Sequence, residues 1–464
     1  MLRPVKAAIV ILMLLSITLI PRPGEARPVS VGLAISRPSA AVSSASPIEA
    51  KDGGGKKHVL GKSCEFRSSG KEAATVGGKT VRLPVTLTSK SPLTFNGRRY
   101  RGNFRIIGAE GGITLVNVLD LEDYLRGVIK MEIDPGWHPE AVKAQAVVSR
   151  TYALRSILQN RGKNGYDLQD SMMSQVYRGM NAEDKRADQA VSATMGIVVR
   201  HGGDLAFTPF HSDSGGATAD VSTVWGGTMP YLRGVSEPFP SVSPNAEWEA
   251  RLSSAQVENA LRQAGADVGS IIELKIGDKD LFGRARTLIA VGSRGTQTVK
   301  SHAFRMAAGS TLIKSTFLTI DSALKTGASA AGHPPASSPS SGWKIPVKDV
   351  PTSDTPMSPA EERQLTALTE QGVFNAEELM DMLMNPNRRK GYLIRALRTS
   401  RPDVPPPSAS APAASPAGTL IFRGKGWGHG VGLSQWGAKA LAEKGWDYKK
   451  IILHYFPGVA IGKM

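Results

Sequence analysis

The stretch Leu121–Leu154, LEDYLRGVIKMEIDPGWHPEAVKAQAVVSRTYAL, constrains the fold more than any other part of the chain. Two helical patterns flank a short break. Asp120 stands where a helix cap belongs, with Asp123 three positions on in the manner of a capping box. Pro135-Gly136 stops the first pattern, and Pro139 suits the first turn of the second. Glu132 is therefore expected on a short connection between two anchored ends, a common way for a scaffold to present a functional group.

The second pattern, from Pro139 to about Leu158, has an unusual polar distribution. Helical spacing puts Glu140, Lys143, Arg150, Thr151 and Arg155 on one arc, facing solvent. Gln145, Ser149 and Tyr152 fall on the other arc among Ala141, Ala146, Val148 and Ala153. Polar groups on an apolar face need partners, because an unsatisfied buried donor or acceptor costs ~1–3 kcal/mol. Two readings are open: bonds to nearby backbone, or the lining of a polar cleft near Glu132.

Length and charge narrow the class. At 464 residues the chain exceeds the usual size of one domain, and 49 Gly with 30 Pro point to many turns and linkers. The net charge of +17 favours a polyanionic partner: nucleic acid, anionic lipid or an anionic cell wall. The sequence has neither zinc-finger spacing nor an RNA-recognition aromatic signature, so nucleic acid lacks a reader. Residues 1–26 read as a secretory signal peptide or N-terminal anchor. Arg3 and Lys6 precede the apolar run Ala7–Leu15, and Pro21 and Pro23 break it before the small-residue site at Gly24–Ala26. This predicts export to the cell envelope, with membrane attachment only through that segment. Cys64 is the single cysteine, so no intrachain disulfide forms.

The remaining organisation is predicted as follows. Residues 27–78, rich in Ser, Ala, Gly and Lys, read as a flexible linker. Residues 79–322 read as the first part of an α+β catalytic domain. Its strands lie near Thr80–Leu87, Tyr100–Ile107 and Ile113–Val118, with hairpin turns at Asn96-Gly97 and Gly111-Gly112. A helix is expected over Glu183–Thr194 and another over Ser253–Ala264, with strands across Ile271–Val299. Residues 323–417 form a Pro/Ser-rich insertion carrying a small helical island at 358–399. Residues 418–464 resume the domain, because Thr419–Phe422 reads as a strand that needs a sheet already built.

Several local matches carry no chemistry. Asp213-Ser214-Gly215-Gly216 matches the nucleophile loop of trypsin-like proteases, but the upstream histidine context that activates such a serine is absent. Gly424-Lys425-Gly426 lacks P-loop or dinucleotide spacing. His211, His429 and His454 are not spaced as metal ligands. What remains is glycine-dense backbone, the aromatics Trp427, Trp436, Trp446 and Tyr455, and one carboxylate, Glu132. Met131, Ile133 and Trp137 offer apolar surroundings that raise a carboxyl pKa by desolvation, which suits glycosidic bond cleavage.

The chain resembles the stage II sporulation protein D family, also called SpoIID/LytB-like. The resemblance rests on NVLDLEDYLRGVIKME (117–132), PEAVKAQAVVSRTYAL (139–154), SQVYRG (174–179), Ser212–Gly216 with Trp225 and Pro230–Leu232, and Gly424–Pro457, in that order. It implies a peptidoglycan lytic transglycosylase acting on glycan strands stripped of stem peptides, with Glu132 as catalytic acid. It also implies substrate-binding positions at Lys143, Arg150, Tyr152, Gln175, Tyr177, Ser212, Ser214, His429 and Gln435. The LytB half of the family name implies an alternative, a non-catalytic activator of a cell-wall amidase, beside a plain glycan-binding module. Some members bind zinc through a cysteine immediately before the Gln-Val-Tyr element. Ser174 stands there, so neither metal nor cofactor is expected. The 323–417 insertion departs from the family pattern.

Overall fold

The computed structural model describes residues 28–160, 162–170, 175–240, 242–322, 357–370, 382, 388–399 and 418–464. The expected export signal, Ser174 and most of the 323–417 insertion lie outside these residues. The described chain is α+β, with two large antiparallel-rich sheets, three smaller three-stranded sheets, and helices set against them.

Residues 28–78 do not form the expected linker. They fold as strands Pro28–Arg37, Ser39–Ser44, Ile48–Lys51, Lys57–Val59, Ser63–Ser68 and Ala73–Val76. Pro28–Arg37 pairs antiparallel with Gly112–Asp120, and Ser39–Ser44 pairs with Ser63–Ser68. The physical reason is period-2 burial inside a small-residue composition: Val29, Val31, Ala40, Val42, Ile48 and Phe66 are all buried. Composition reads as mobile, whereas alternation and a partner strand far along the chain make a sheet. The Asn96-Gly97 turn forms as expected. Phe95 faces Arg98, and both turn residues adopt positive φ (47° and 73°), the two-residue hairpin geometry.

The strand Gly112–Asp120 runs directly into the helix Leu121–Glu132 (α1). Asp120 caps it, its carboxylate accepting from Glu122 N at 2.8 Å. The capping box with Asp123 does not form; Asp123 instead faces Arg101 (3.9 Å) and Arg126 (3.6 Å). Leu121, Tyr124, Leu125, Val128 and Ile129 are buried along one face. Each such apolar side chain contributes ~1.5–3 kcal/mol by leaving water. The second helix, Pro139–Asn160 (α2), is buried on nearly every side, including Arg150 and Thr151, both placed on the solvent arc by helical spacing. It lies under α1, the strand Ile197–His201 and both C-terminal helices, Gln435–Glu443 and Tyr448–Tyr455.

Burial is divided between two main cores and a small cluster within the insertion. The larger takes in strands and helices from Val29 to Leu232 together with Val431–Val459. The smaller runs from Trp248 to Leu318 and includes Leu420 and Phe422. The strand Thr419–Gly424 sits centrally between Trp248–Ser253 and Leu318–Ser322, which is the pre-built sheet the sequence required. Within the insertion, helices Pro359–Glu370 and Arg389–Thr399 pack on Leu365, Met382, Tyr392 and Leu393. Glu362 anchors them to the larger core. Its buried carboxylate accepts from Gln169 Nε2 at 2.8 Å and from Tyr166 and Asn164.

Candidate catalytic cleft

Glu132 is the last residue of α1 rather than part of the following connection. Ile133 then turns to extended backbone, and Asp134 holds Gly136 N at 2.8 Å, so the break is fixed by its own side chain. Burial pushes the Glu132 carboxyl from 4.5 up to about 7, although the backbone N–H of Val176 pulls the other way. Tyr124 and Tyr152 feel its charge; burial raises Tyr124 well above the phenol range and Tyr152 to about 12. Both phenols thus stay protonated near the carboxyl.

Two of the polar residues on α2's apolar face, Gln145 and Ser149, belong to one hydrogen-bond chain. Gln435 Nε2 donates to Glu132 O (2.8 Å) and to Gln145 Oε1 (3.5 Å). Gln145 Nε2 donates to Ser149 Oγ at 3.0 Å. Gln175 Nε2 donates to Ser149 O at 3.4 Å, and Tyr124 OH donates to Gln175 Oε1 at 3.1 Å. Every member is partnered, so the network costs little to bury and fixes the end of α1. Neither of the two readings describes Gln145 and Ser149 fully: their side chains bond to each other and to Gln435, and Ser149 O accepts from Gln175.

An aromatic wall continues from this point. Tyr152 lies 6.4 Å from Phe207, which meets Trp225 at 6.2 Å, and Trp225 meets His429 at 4.6 Å. Burial drives His429 down to about 3, so it is neutral; its Nδ1 accepts from Val431 N at 3.0 Å. After the end of α1, Trp137 packs on Trp436 at 4.7 Å, and Trp436 N donates to Ser212 O at 3.0 Å. Ser214 is buried; its N–H donates to Ser434 Oγ at 3.2 Å and its Oγ accepts from Gly216 N at 3.1 Å. Flat, partly exposed aromatic faces beside a protonated carboxyl are suited to a sugar chain.

Three expected positions make no hydrogen bond to this network, although the Tyr177 ring packs on Tyr124 at 5.1 Å. Arg150 is fully buried and bidentate to Glu122 (2.8 and 2.7 Å), with further bonds to Val191 O and Ile197 O. It ties α2 to α1 and to the strand Ile197–His201. Tyr177 is buried and donates to Asn117 at 2.8 Å. Lys143 pairs with Glu140 at 2.6 Å, which also accepts from Tyr448 N, joining α2 to the last helix. These are supports of the fold, and among the described residues no hydrogen bond joins their side chains to the Glu132 network. Tyr124, Phe207 and the Val176 backbone were missed, because nothing in their spacing separates them from core residues.

Residues 109–201, which contain Glu132 and most of this network, match the sequence profile of SpoIID, described as Stage II sporulation protein. The chain carries a domain of the SpoIID family. It is 26% identical over 379 residues to an uncharacterized protein of Brachyspira hyodysenteriae, covering 81% of this chain and 76% of that one. It is 24% identical over 387 residues to the amidase enhancer of Bacillus subtilis (83% of this chain, 47% of that protein). With the stage II sporulation protein D of Bacillus amyloliquefaciens it shares 24% identity over 362 residues, 75% of this chain and 76% of that one. The SpoIID domain extends on both sides of α1 and α2, so the carboxyl and its struts on these helices fall inside the matched region.

Proposed function

We propose that this protein acts on the bacterial cell wall as an exported lytic transglycosylase of peptide-free glycan strands, with Glu132 as its general acid and base. The observation that carries this reading is the Glu132 carboxyl, held near neutral pKa by burial at the tip of α1. A carboxyl with a pKa near 7 is protonated in a useful fraction at physiological pH. It donates that proton to the oxygen joining N-acetylmuramic acid to the next N-acetylglucosamine, and the glycosidic bond breaks to leave an oxocarbenium-like centre. The Glu132 carboxylate then takes the proton of the muramic C6 hydroxyl. That oxygen closes on C1 as a 1,6-anhydro ring, and Glu132 is returned to its acid form. No second carboxylate and no water are consumed. Tyr152 is a protonated donor close to the group, and the partly exposed rings of Tyr152, Trp225 and His429 carry the sugar.

The test is glycan cleavage by Glu132→Gln, which keeps shape and removes the proton. Activity is expected to fall by about 10²–10⁴-fold, the contribution of general acid–base catalysis. Undiminished cleavage would end the proposal. A second reading, a non-catalytic activator of a cell-wall amidase, is favoured by the similarity over 83% of the chain to a protein named amidase enhancer. It predicts that adding this chain accelerates a purified wall amidase, and that Glu132→Gln accelerates it equally.

A further inference from the structure

The insertion docks on the segment that closes over Glu132. Glu362, on the helix Pro359–Glu370, is buried, and its carboxylate accepts from Gln169 Nε2 at 2.8 Å and from Tyr166 and Asn164. Tyr166 is backed by the strand Pro28–Arg37, where a Cβ on Gly32 would come within 3.3 Å of the ring. The chain then runs from this socket to the cleft. Asp170, next to Gln169, bridges to Gln175, and the backbone N–H of Val176 donates to the Glu132 carboxyl. Glu132 and Tyr152 both keep partial exposure with the insertion in place, so the docked helices flank the cleft without closing it.

Arg389 is the first residue of the companion helix Arg389–Thr399, and its Nε donates to Met382 O at 2.8 Å. Among the described residues its Nη1 and Nη2 make no hydrogen bond or ion pair, whereas the neighbouring Lys390 is held by Glu361 at 3.1 Å. Arg389 is only partly exposed. Burial lowers its pKa from the usual guanidinium range, while Glu362, Tyr152 and Tyr166 favour the charged form. Tyr152 in turn feels the charges of both Arg389 and Glu132, so the guanidinium and the carboxyl lie around one ring. A guanidinium drawn partly out of water, anchored at Nε and open at its two ends, favours a carboxylate that accepts from both ends at once. On a peptide-free glycan strand the anionic group is the lactyl carboxylate of N-acetylmuramic acid. It belongs to the same ring whose glycosidic bond is assigned to Glu132, and a stem peptide would convert it to a neutral amide.

We propose that Arg389 is a specificity-determining residue supplied by the insertion: it binds the lactyl carboxylate of muramic acid and so selects bare glycan strands over peptide-bearing ones. This rests on the glycan reading of the Glu132 cleft. The test is calorimetric titration of the full chain carrying Glu132→Gln, which binds without cutting. Two tetrasaccharides of alternating N-acetylglucosamine and N-acetylmuramic acid are compared, one with free lactyl carboxylates and one with both converted to methylamides. The free acid is expected to bind at least about tenfold more tightly than the methylamide. Adding Arg389→Gln should weaken the free acid by about tenfold and leave the methylamide within about twofold, which abolishes the preference while showing the cleft intact. Arg389→Lys keeps the charge but loses the fork, and is expected to retain a preference of about threefold. Equal affinity for the two sugars before Arg389 is changed, or an undiminished preference afterwards, would overturn the proposal and leave the glycan reading standing. Equal loss of both sugars in Arg389→Gln and Arg389→Lys would make Arg389 a structural residue and overturn it as well. Failure of either sugar to bind at all would overturn both this proposal and the glycan reading.

Discussion

Replacing Glu132 by glutamine has a consequence for stability whose sign depends on pH. The carboxyl titrates at 4.5 when free and about 7 in the folded chain, so the folded state holds its proton more tightly than the unfolded state does. Below pH 4.5 both states are protonated and folding carries no penalty. As pH rises from 4.5 through 7, the unfolded chain releases the proton first, and folding stability falls. At ~1.4 kcal/mol per pH unit this displacement amounts to ~3 kcal/mol by about pH 8, an upper figure because the residue is only partly shielded from water. A glutamine at this position does not titrate. The Glu132→Gln variant is therefore expected to match wild type at about pH 4 and to exceed it by up to ~3 kcal/mol at about pH 8. Denaturant unfolding of both proteins in half-unit steps from about pH 4 to about pH 8 measures this directly. A stability difference that stays flat with pH would show that Glu132 is not desolvated and would remove the basis for its role as acid.

Arg150→Ala breaks a buried bidentate pair with Glu122 and is expected to destabilise by ~3–5 kcal/mol, with turnover per folded molecule unchanged. Unfolding curves and activity normalised to folded protein separate this from a direct role in the cleft. Gln435→Leu removes the bond to Glu132 O and the link to Gln145. It is expected to lower kcat by about tenfold while KM stays within about twofold, as read in steady-state glycan cleavage. Glu362→Ala leaves Tyr166 and Asn164 without their shared acceptor and is expected to speed protease cleavage within 357–399 by about tenfold in timed digests.

The region around α1 was legible because its signals are local. Asp120, Pro135 and Pro139 mark the helix ends in sequence, and the structure uses each of them. The oddly placed Gln145 and Ser149 signalled that buried partners had to exist, but not that these would be each other and Gln435. What the sequence concealed depends on distant pairing. Ser- and Ala-rich residues 28–76 look like a tether, and only partners such as Asp120 opposite Pro28 and Arg67 opposite Ser39 turn them into sheet. Arg150 illustrates the same limit. Helical spacing placed it toward solvent and family resemblance placed it near the cleft. Its actual neighbour, Glu122, lies on another helix that packs over that side of α2. Phe207 escaped notice because an aromatic wall is defined by side chains meeting across elements, here Tyr152 on α2 and Trp225 after a short helix.

The most direct test of the central claim is the fate of water in glycan cleavage. Peptide-free strands digested by the purified protein in H₂¹⁸O should give products ending in 1,6-anhydro-N-acetylmuramic acid, with no heavy oxygen incorporated at the new end. Glu132→Gln should give none. Incorporation of one ¹⁸O at each new end would mean that water, not the C6 hydroxyl, attacks the sugar, and would contradict the transglycosylase mechanism.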